Sequence, residues 1–438
     1  MIKSKYKSCV YIQQAVYLAP TEIRTCCQRF FVDGRIKGDV VIMSHNESGD
    51  ITFDNILKQK EKLIHEINNG LDDRCDGCSL LIEKEWKKVN DEKINVISFE
   101  NHSVCNMKCI YCSDTYYGGE KESYSLSDLL NSMRGKVSGD LHIAWGGGEP
   151  TARKDFENTF VMVNDMFSPR TQMIFTNALK YSKSIKSALN AGTAYVTTST
   201  DAGSEETFRA VRQSKGMSKV FNNLRRYSVG SAEQVTIKYI FTELNYSQDE
   251  LDGFISNVIS HDLIDCNFLI SANFKEEIIE DDRIAAMAYL YFSLLEKDIY
   301  NVSFDDHVFT RVRDIGSKLG VLLSHYDVSG KVSQIFNAKN YIANHSKSIV
   351  LWGSGEFAKY LVSTSKLIQT GSVHIEKVVD GLKDNLGRSF SGLIVQSPDA
   401  ITDKNFVIIA SVNYHGHIMR QLFKKGFDTS RIIPNFML

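Results

Sequence analysis

Apolar residues recur along the middle of the chain in two alternating patterns. Short apolar runs predict six β-strands, and between or after them lie segments whose apolar residues are spaced as on one helix face. The predicted strands are Asn95–Glu100, Leu141–Trp145, Met173–Thr176, Ala194–Ser199, Val235–Phe241 and Asn267–Ser271. The predicted helices are Ser125–Met133, Phe156–Phe167, Ser182–Ala191, Lys219–Tyr227, Gln248–Ser260 and Asp282–Leu295. This order predicts parallel strands joined by right-handed crossovers, and the simplest such architecture is a partial (βα)6 TIM barrel.

The length of 438 residues exceeds one ordinary domain. We predict an α/β protein of four parts: a cysteine-rich module at 1–90, the barrel at 91–300, a helical connector at 301–346 and a Rossmann-like α/β domain at 347–438.

Charge and apolar content exclude some partners. With 51 basic and 53 acidic residues, the formal net charge of -2 gives no general attraction to nucleic acid or to an anionic membrane. No apolar stretch has the length of a transmembrane helix. Nine cysteines in tight clusters fit metal ligation in a reducing compartment better than a disulfide framework. We therefore expect a cytoplasmic protein that binds neither nucleic acid nor membrane, of unspecified oligomeric state.

The most informative cysteines are Cys105, Cys109 and Cys112, which directly follow the first predicted barrel strand. Parallel barrels keep their chemistry at the carboxyl ends of the strands, so the loop lies where an active site is expected. Three thiolates are one ligand fewer than a closed 4Fe-4S or zinc site takes, which would leave one iron open. The alternatives are a zinc site completed by His102 and buried thiols without metal.

Polar and glycine-rich segments follow the next three predicted strands. They are Gly146–Pro150, Thr176-Asn177 with Ala178 after it, and Ser199–Asp201 with Arg212 further along. Taken singly, each also fits an ordinary turn or helix start. Their placement after successive strand ends is what points to one shared site.

The cysteine spacing with these segments resembles the radical S-adenosylmethionine (SAM) superfamily. The resemblance implies that Cys105, Cys109 and Cys112 bind a catalytic 4Fe-4S cluster whose open iron binds SAM. It implies a SAM site built from Tyr111, Gly147, Gly148, Glu149, Pro150, Asn177, Ser199, Asp201 and Arg212. It also implies a low-potential electron donor such as flavodoxin or ferredoxin, a 5′-deoxyadenosyl radical and hydrogen abstraction from a substrate. Ala178 departs from the family pattern, which has glycine there.

A second group of cysteines precedes the barrel: Cys9, Cys26, Cys27, Cys75 and Cys78. A hairpin with Asp33-Gly34 at its tip and a helix around Ile56–Asn68 lie between them. This order resembles the SPASM or twitch auxiliary modules of radical SAM enzymes, although those usually follow the barrel. Cys9, one of Cys26 or Cys27, Cys75 and Cys78 would close a second 4Fe-4S cluster, and zinc is the alternative.

The C-terminal segment repeats a strand, glycine-loop and helix pattern. Ser348–Trp352 precedes Gly353 and Gly355, and the strand Ile375–Val379 ends at Asp380. This order predicts phosphate at the helix N-terminus and a ribose hydroxyl at Asp380. The segment is similar to small Rossmann-like domains of sugar-modifying transferases and sugar C-methyltransferases, and a docking or dimerising role is the alternative.

The sequence as a whole predicts a radical SAM enzyme, oxidoreductase-like in character. A small-molecule substrate, sugar or nucleotide-linked, is favoured by the C-terminal segment, with oxidation, epimerisation or a related modification as the reaction. The alternatives are a radical SAM maturase of ribosomal peptides and a non-catalytic iron-sulfur redox sensor or scaffold. The complete set of SAM-binding segments argues against a sensor.

Overall fold

A computed structural model describes residues 5–44, 51–112, 119–305, 308, 348–411, 414–428 and 431–433. The chain divides into two compact units, one of Met1–Thr198 with Arg212–Val235 and one of Ser199–Val211 with Thr236–Leu438. Nearly all of the predicted helical connector lies outside the described residues. No helix in the described ranges is long and apolar enough to cross a membrane.

The described part of the first unit contains one large sheet, two separate two-stranded sheets and helices. Its strands are β1 (Lys5–Ser8), β2 (Ala15–Leu18), β3 (Glu22–Arg24), β4 (Arg29–Val32), β5 (Arg35–Gly38), β6 (Val41–Ser44), β7 (Ile82–Glu85), β8 (Ile94–Phe99), β9 (Val137–Trp145), β10 (Thr171–Phe175) and β11 (Ala194–Ser199). Its helices are α1 (Val10–Gln14), α2 (Phe53–Asn68), α3 (Leu126–Ser132), α4 (Phe156–Phe167), α5 (Lys183–Asn190) and α7 (Met217–Ser228). Helix α6 (Glu205–Arg212) precedes α7 in the chain and, apart from Arg212, belongs to the second unit.

The large sheet runs in the order β11-β10-β9-β8-β2-β3-β6. Pairing is parallel from β11 to β2 and antiparallel between β2 and β3 and between β3 and β6. The parallel strands and helices that follow β8 lie where the apolar periodicity places them, to within a few residues at each end. The N-terminal strands β2, β3 and β6 extend the same sheet beyond β8, so the predicted boundary near residue 90 does not coincide with an edge of the sheet.

The N-terminal segment contains the predicted hairpin. Strands β4 and β5 pair antiparallel from Arg29↔Gly38 to Val32↔Arg35. Asp33 and Gly34 both have positive φ, 49° and 74°, as a two-residue hairpin turn requires. Helix α2 presents one buried face to the sheet, and Thr52 caps its N-terminus by accepting from the Asn55 amide.

The second unit continues the alternation with β12 (Val235–Phe241), α8 (Gln248–Ser260), β13 (Asn267–Ala272), α9 (Asp281–Glu296) and β14 (Val302–Phe304). The order is β14-β13-β12, with parallel pairing. Every second residue of β12 is buried, and Tyr239 packs edge-to-face on Phe254 of α8 at 5.0 Å. This alternation is the pattern of a strand with one face covered by a helix.

The C-terminal part of this unit has its own six-stranded sheet. Its strands are β15 (Ser348–Trp352), β16 (His374–Val379), β17 (Ser389–Phe390), β18 (Leu393–Gln396), β19 (Val407–Ile409) and β20 (Ile432–Ile433), and its helices are α10 (Glu356–Thr364), α11 (Lys366–Gln369) and α12 (His415–Lys424). The order is β17-β18-β16-β15-β19-β20. Strand β15 is parallel to β16 on one side and to β19 on the other, so the strand order reverses beside it.

Helix α12 joins the two sheets of the second unit. A Cβ at Gly416 would lie 2.7 Å from Asn267 Oδ1 and 3.2 Å from Asn301 Cβ. The rings of Tyr300 and Phe423 lie 5.3 Å apart. The absence of a side chain at Gly416 therefore allows the helix to pack closely on the start of β13.

Candidate functional site

Cys105, Cys109 and Cys112 share one short loop after β8. The Cys112 amide donates to the Cys109 carbonyl (3.0 Å), and the Met107 amide donates to Cys105 Sγ (3.5 Å). Loss of water around the sulfur, together with the charges of Glu149, Cys109 and Cys112, raises the pKa of Cys105 to about 11. This thiol is therefore protonated in the metal-free chain and releases its proton when it binds a metal.

The glycines after β9 make room for the backbone that enters the cysteine loop. A Cβ at Gly148 would lie 2.2 Å from the Val104 carbonyl oxygen. Gly147, with φ of +81°, has the Glu100 Cα 2.8 Å from its ideal Cβ position. The Gly148 amide donates to His102 (2.9 Å), and the Glu149 amide to Val104 (2.8 Å). The glycine segment is thus hydrogen-bonded to the residues that precede Cys105.

Glu149 joins this segment to the end of β10. Its Oε1 accepts from the Thr151 amide (3.0 Å), the Thr151 hydroxyl (2.6 Å) and the Thr176 hydroxyl (2.7 Å). Its Oε2 accepts from the Asn177 amide (2.6 Å). The carboxylate is buried, with 2% of its surface exposed, and Pro150 follows as the first residue of a short 3-10 turn. Oε2, with one protein donor, retains capacity for an additional one.

Asn177 and Ala178 reach back to the cysteine loop. The Asn177 side-chain amide donates to Asn106 Oδ1 (2.6 Å). Ala178 has φ of +55°, the left-handed region that glycine usually occupies. The backbone at Ala178 therefore takes the glycine-type conformation despite the departure from the family pattern.

A buried arginine, Arg212, contacts the cysteine loop at Tyr111 and Lys108. Arg212, with 5% of its surface exposed, donates through Nη1 to the Tyr111 hydroxyl, and its guanidinium carbon is 5.7 Å from the Tyr111 ring centroid. The Lys108 amide donates to the Arg212 carbonyl (3.3 Å). The first unit thus brings Arg212 and Tyr111 to the same loop as the three cysteines.

Ser199 and Asp201 belong to the second unit. Asp201 is fully buried with φ of +56°, and its Oδ1 accepts from the Ile240 amide (2.7 Å). Its carbonyl accepts from the Asn245 side chain (2.9 Å). Within this unit the Asp201 carboxylate therefore fixes the loop after β11 to β12.

His102, the alternative zinc ligand, lies in a different environment. Burial lowers the pKa of His102 to about 4, and the charges that act on the ring are those of Arg153, Glu122 and Asp155. Arg153 forms ion pairs with both of these carboxylates. The imidazole is therefore neutral and lies beside this ion-pair group.

Four cysteines of the N-terminal segment line one small cavity: Cys9, Cys26, Cys75 and Cys78. Burial, together with the charges of Cys26, Cys9 and Cys78, raises the pKa of Cys75 to about 12. Cys27 is not part of this lining; its thiol interacts with the Glu100 carboxylate and the Tyr17 hydroxyl. The structure thereby separates the adjacent pair, with Cys26 facing the cavity.

Local turns bring these cysteines together. The Cys78 amide donates to the Cys75 carbonyl (3.1 Å), and Gly77 between them has φ of +86°. Cys9 caps α1 by accepting from the Ile12 amide (3.4 Å). In the described residues no group of three or more His, Cys, Asp and Glu side chains is arranged to hold a metal ion. A cluster requires wider spacing than one ion, because each cysteine binds a different iron.

Two buried charged groups escaped the sequence reasoning. Burial lowers the pKa of Lys60 on α2 to about 7, while the charge of Cys9 opposes that change. Burial also raises the pKa of Glu100, which follows β8 and lies against Gly146 and Gly147. The available signals were a lysine on the apolar face of a helix and an acid directly after a buried strand.

Of the C-terminal residues predicted to bind a nucleotide, Gly353 and Asp380 are in close contact with neighbouring residues, whereas the space at Gly355 is open. A Cβ at Gly353 would lie 2.6 Å from the Ala410 carbonyl oxygen, whereas nothing lies within 4 Å of one at Gly355. Asp380 Oδ2 accepts from the Ser354 amide (3.1 Å) and hydroxyl (2.6 Å) and from Asn385 (3.0 Å). Asp380 thus holds the glycine loop in place, and open space lies at Gly355.

Comparisons with known proteins cover parts of the chain. Residues 102–235 match the radical SAM superfamily, and residues 345–433 match the family described as C2185-like, N-terminal. The chain is 22% identical to GTP 3′,8-cyclase of Clostridium botulinum, over 40% of this chain and 54% of the relative. It is 25% identical to GTP 3′,8-cyclase of Vibrio parahaemolyticus, over 42% and 55%. The chain thus spans about half the length of the curated relatives that it matches.

The chain is also similar to solved structures, at lower sequence identity than to these relatives. SuiB of Streptococcus suis bound to S-adenosylmethionine aligns with a TM-score of 0.39 and 11% identity, over 64% of this chain and 61% of that one. Native anSMEcpe with bound AdoMet aligns with a TM-score of 0.38 and 16% identity, over 54% and 68%. The matched segment 102–235 contains the three-cysteine loop, the glycine segment, Asn177 and Arg212. This match supports membership of the radical SAM superfamily for that part of the chain.

Proposed function

We propose that this protein cleaves SAM reductively at a 4Fe-4S cluster held by Cys105, Cys109 and Cys112. One observation carries the proposal: three thiols lie on a single loop that is hydrogen-bonded to the glycine segment, to Asn177 and to Arg212. The donor set fits the group, because iron-sulfur clusters are held by cysteine thiolates and three of them leave one iron for a further ligand.

When bound, the reduced cluster supplies one electron that cleaves SAM to methionine and a 5′-deoxyadenosyl radical, which abstracts hydrogen from the substrate. We assign the SAM carboxylate to the buried Arg212 guanidinium, because a buried cation is favoured by an anionic partner. We assign the SAM ammonium to Glu149 Oε2. Gly147 and Gly148 fix the path of the chain into the cysteine loop, while Tyr111 orients Arg212. Ser199 and Asp201 remain proposed members of the same site.

We propose a second 4Fe-4S cluster at Cys9, Cys26, Cys75 and Cys78. The support is their shared cavity and their mutual electrostatic influence, together with a chemically suitable set of four thiols. Cys27 is left out of the ligand set, because its thiol interacts with Tyr17 and Glu100 instead.

We propose a small-molecule substrate that is nucleotide-linked or a sugar, and oxidation, epimerisation or a related modification as the reaction. Support comes from the curated relatives, which are named for the cyclisation of GTP, a nucleotide. Further support comes from the C-terminal sheet, whose strand order reverses beside β15, the position where open α/β sheets bind ligands. The finer architecture is proposed in the same way, as a partial (βα)6 barrel and a Rossmann-like domain.

The test is anaerobic reconstitution of the full chain with iron and sulfide, followed by SAM and dithionite. We expect 5′-deoxyadenosine from the wild type and none after Cys105→Ala, Cys109→Ala or Cys112→Ala, because each change removes a cluster ligand. Cys266→Ala is the matched control, since Cys266 is a fully buried cysteine entering β13 in the second unit. Release of 5′-deoxyadenosine at the wild-type rate by a ligand variant would refute the assignment.

Elemental analysis of the same samples tests the second cluster. The wild type is expected to hold about eight irons, and the variant lacking all three loop cysteines about four. Zinc in place of iron in that variant would overturn the second cluster and leave the first untouched.

A further inference from the structure

Helix α2 buries a lysine on its apolar face. The residues that face the sheet are Phe53, Ile56, Lys60, Leu63 and Ile67. Their spacing is that of one helical stripe, in which an apolar residue is expected at each position. Lys60 has none of its surface exposed. The chain therefore places an ammonium group where the fold itself calls for a hydrocarbon side chain.

The protein supplies little to balance this charge. Lys60 Nζ donates to the Ala15 carbonyl oxygen at 2.6 Å, and this carbonyl is neutral. Among the described residues, Cys9 is the one titratable group whose charge acts on Lys60, and no carboxylate lies within ion-pair distance of it. A buried charge without a countercharge is strongly unfavourable, so Lys60 stays charged only where a negative group lies close by.

Cys9 links Lys60 to the four-cysteine cavity, because the charge of Cys9 acts on Lys60 and Cys9 lines the cavity. Cys9 and Cys75 belong to the same buried cluster as Leu63 and Ile67, the residues that follow Lys60 on the helical stripe. Free thiols bring no charge to this cavity, whereas cysteines that bind a metal do so as thiolates. A cluster held by four thiolates carries net negative charge, and reduction by one electron makes it more negative. A charged Lys60 therefore has a countercharge only when the cavity holds such a metal centre.

We propose that Lys60 is the buried counter-cation of a metal centre at Cys9, Cys26, Cys75 and Cys78, and that its charge raises the reduction potential of that centre. The inference rests on the second cluster of the proposed function. Lys60 is a positioning residue, since its head group is enclosed in the core and acts through its charge on the cluster ligands. One electron from an external donor reduces the centre, and Lys60 favours the reduced form because that form is the more negative.

The experiment uses Lys60→Met, which keeps the length of the side chain and removes its charge. Lys58→Met is the matched control, because Lys58 is exposed on the same helix. Both are made in the full-length chain that lacks Cys105, Cys109 and Cys112, so that only the N-terminal centre contributes to the signal. The readouts are iron content and a dithionite redox titration followed by electron paramagnetic resonance.

We expect Lys60→Met to retain iron and to shift the midpoint potential to a more negative value, with no shift in Lys58→Met. Lys60→Arg, which keeps the charge, is expected to keep a potential close to that of the parent, and it serves if the methionine variant loses its centre. An unchanged potential in an iron-loaded Lys60→Met protein would overturn the role of Lys60 and leave the second cluster standing. Zinc in the parent chain would overturn the second cluster and this inference with it.

Unfolding of the metal-free proteins gives a second measurement. Without the centre, Lys60 has no countercharge, so Lys60→Met is expected to raise the melting temperature of the metal-free chain. With the centre loaded, the same change is expected to lower it. A melting temperature that shifts equally in both forms would identify Lys60 as a purely structural residue.

Discussion

Substitution of Gly148 by alanine tests how the glycine segment supports the cysteine loop. The new Cβ would lie 2.2 Å from the Val104 carbonyl oxygen and 2.9 Å from the Val104 nitrogen, both backbone atoms. Ordinary contacts begin about 1 Å further out, so the two backbones must separate by that much. No flexible side chain is available to absorb the movement.

The cost follows from the hydrogen bonds between these backbones. The bonds Gly148 N–H to His102 O (2.9 Å) and Glu149 N–H to Val104 O (2.8 Å) would both be lost or stretched. At about 1 kcal/mol for each bond, and more for the buried groups left without partners, we expect a loss of about 3 kcal/mol of unfolding free energy. Because Val104 precedes Cys105, the same movement displaces the first cluster ligand, and iron bound at that loop should fall.

The assay is denaturant unfolding of the metal-free chain, together with iron content after reconstitution. Gly139→Ala is the matched control, because Gly139 lies in β9, the strand that the glycine segment follows, and nothing is within 4 Å of its ideal Cβ position. That control should change stability by less than about 1 kcal/mol, since it mainly restricts the unfolded chain. If Gly148→Ala matched Gly139→Ala in both stability and iron, the proposed packing of the glycine segment would be wrong.

Two further predictions concern the C-terminal part of the second unit. Burial lowers the pKa of His415 to about 4 against an unfolded value near 6.5, so the unfolded chain binds more protons between these values and stability falls as pH drops through them. His415→Gln should remove roughly 3 kcal/mol of this loss in urea unfolding of the metal-free chain between pH 7 and 4, and parallel acid slopes for the two proteins would contradict it. Gly355→Val should leave the fold intact, because nothing lies within 4 Å of the position, yet it should block a phosphate at the start of α10. Calorimetry of the full chain with a panel of nucleotides and sugar nucleotides checks this, and absence of binding by the wild type would leave the segment as a docking module.

The chain order of strands and helices was accessible from the sequence because it depends on local periodicity. Strands with one covered face alternate, as in Val235–Phe241, and helices repeat their apolar residues every three or four positions, as in Gln248–Ser260. The structure confirms both of these ranges. The hairpin at Asp33-Gly34 was accessible for the same reason, because two residues with positive φ form it by themselves.

The N-terminal strands could not be predicted from the local sequence pattern. Strand β2 (Ala15–Leu18) is buried along its whole length and pairs in parallel with β8, a partner far along the chain. Its short apolar run carries no local signal of that pairing, since a buried strand and other apolar segments share the same composition.

Spacing alone placed Cys105, Cys109 and Cys112 on one loop, because so few residues separate them. Only the tertiary structure chose between Cys26 and Cys27, since neighbours along an extended chain point to opposite sides and the fold decides which side holds the cavity. It also showed that Gly148 makes room for the Val104 backbone and that Lys60 lies in the core, where its amine donates to the Ala15 carbonyl. These facts depend on contacts between segments distant in sequence, and local residue pattern does not encode such contacts.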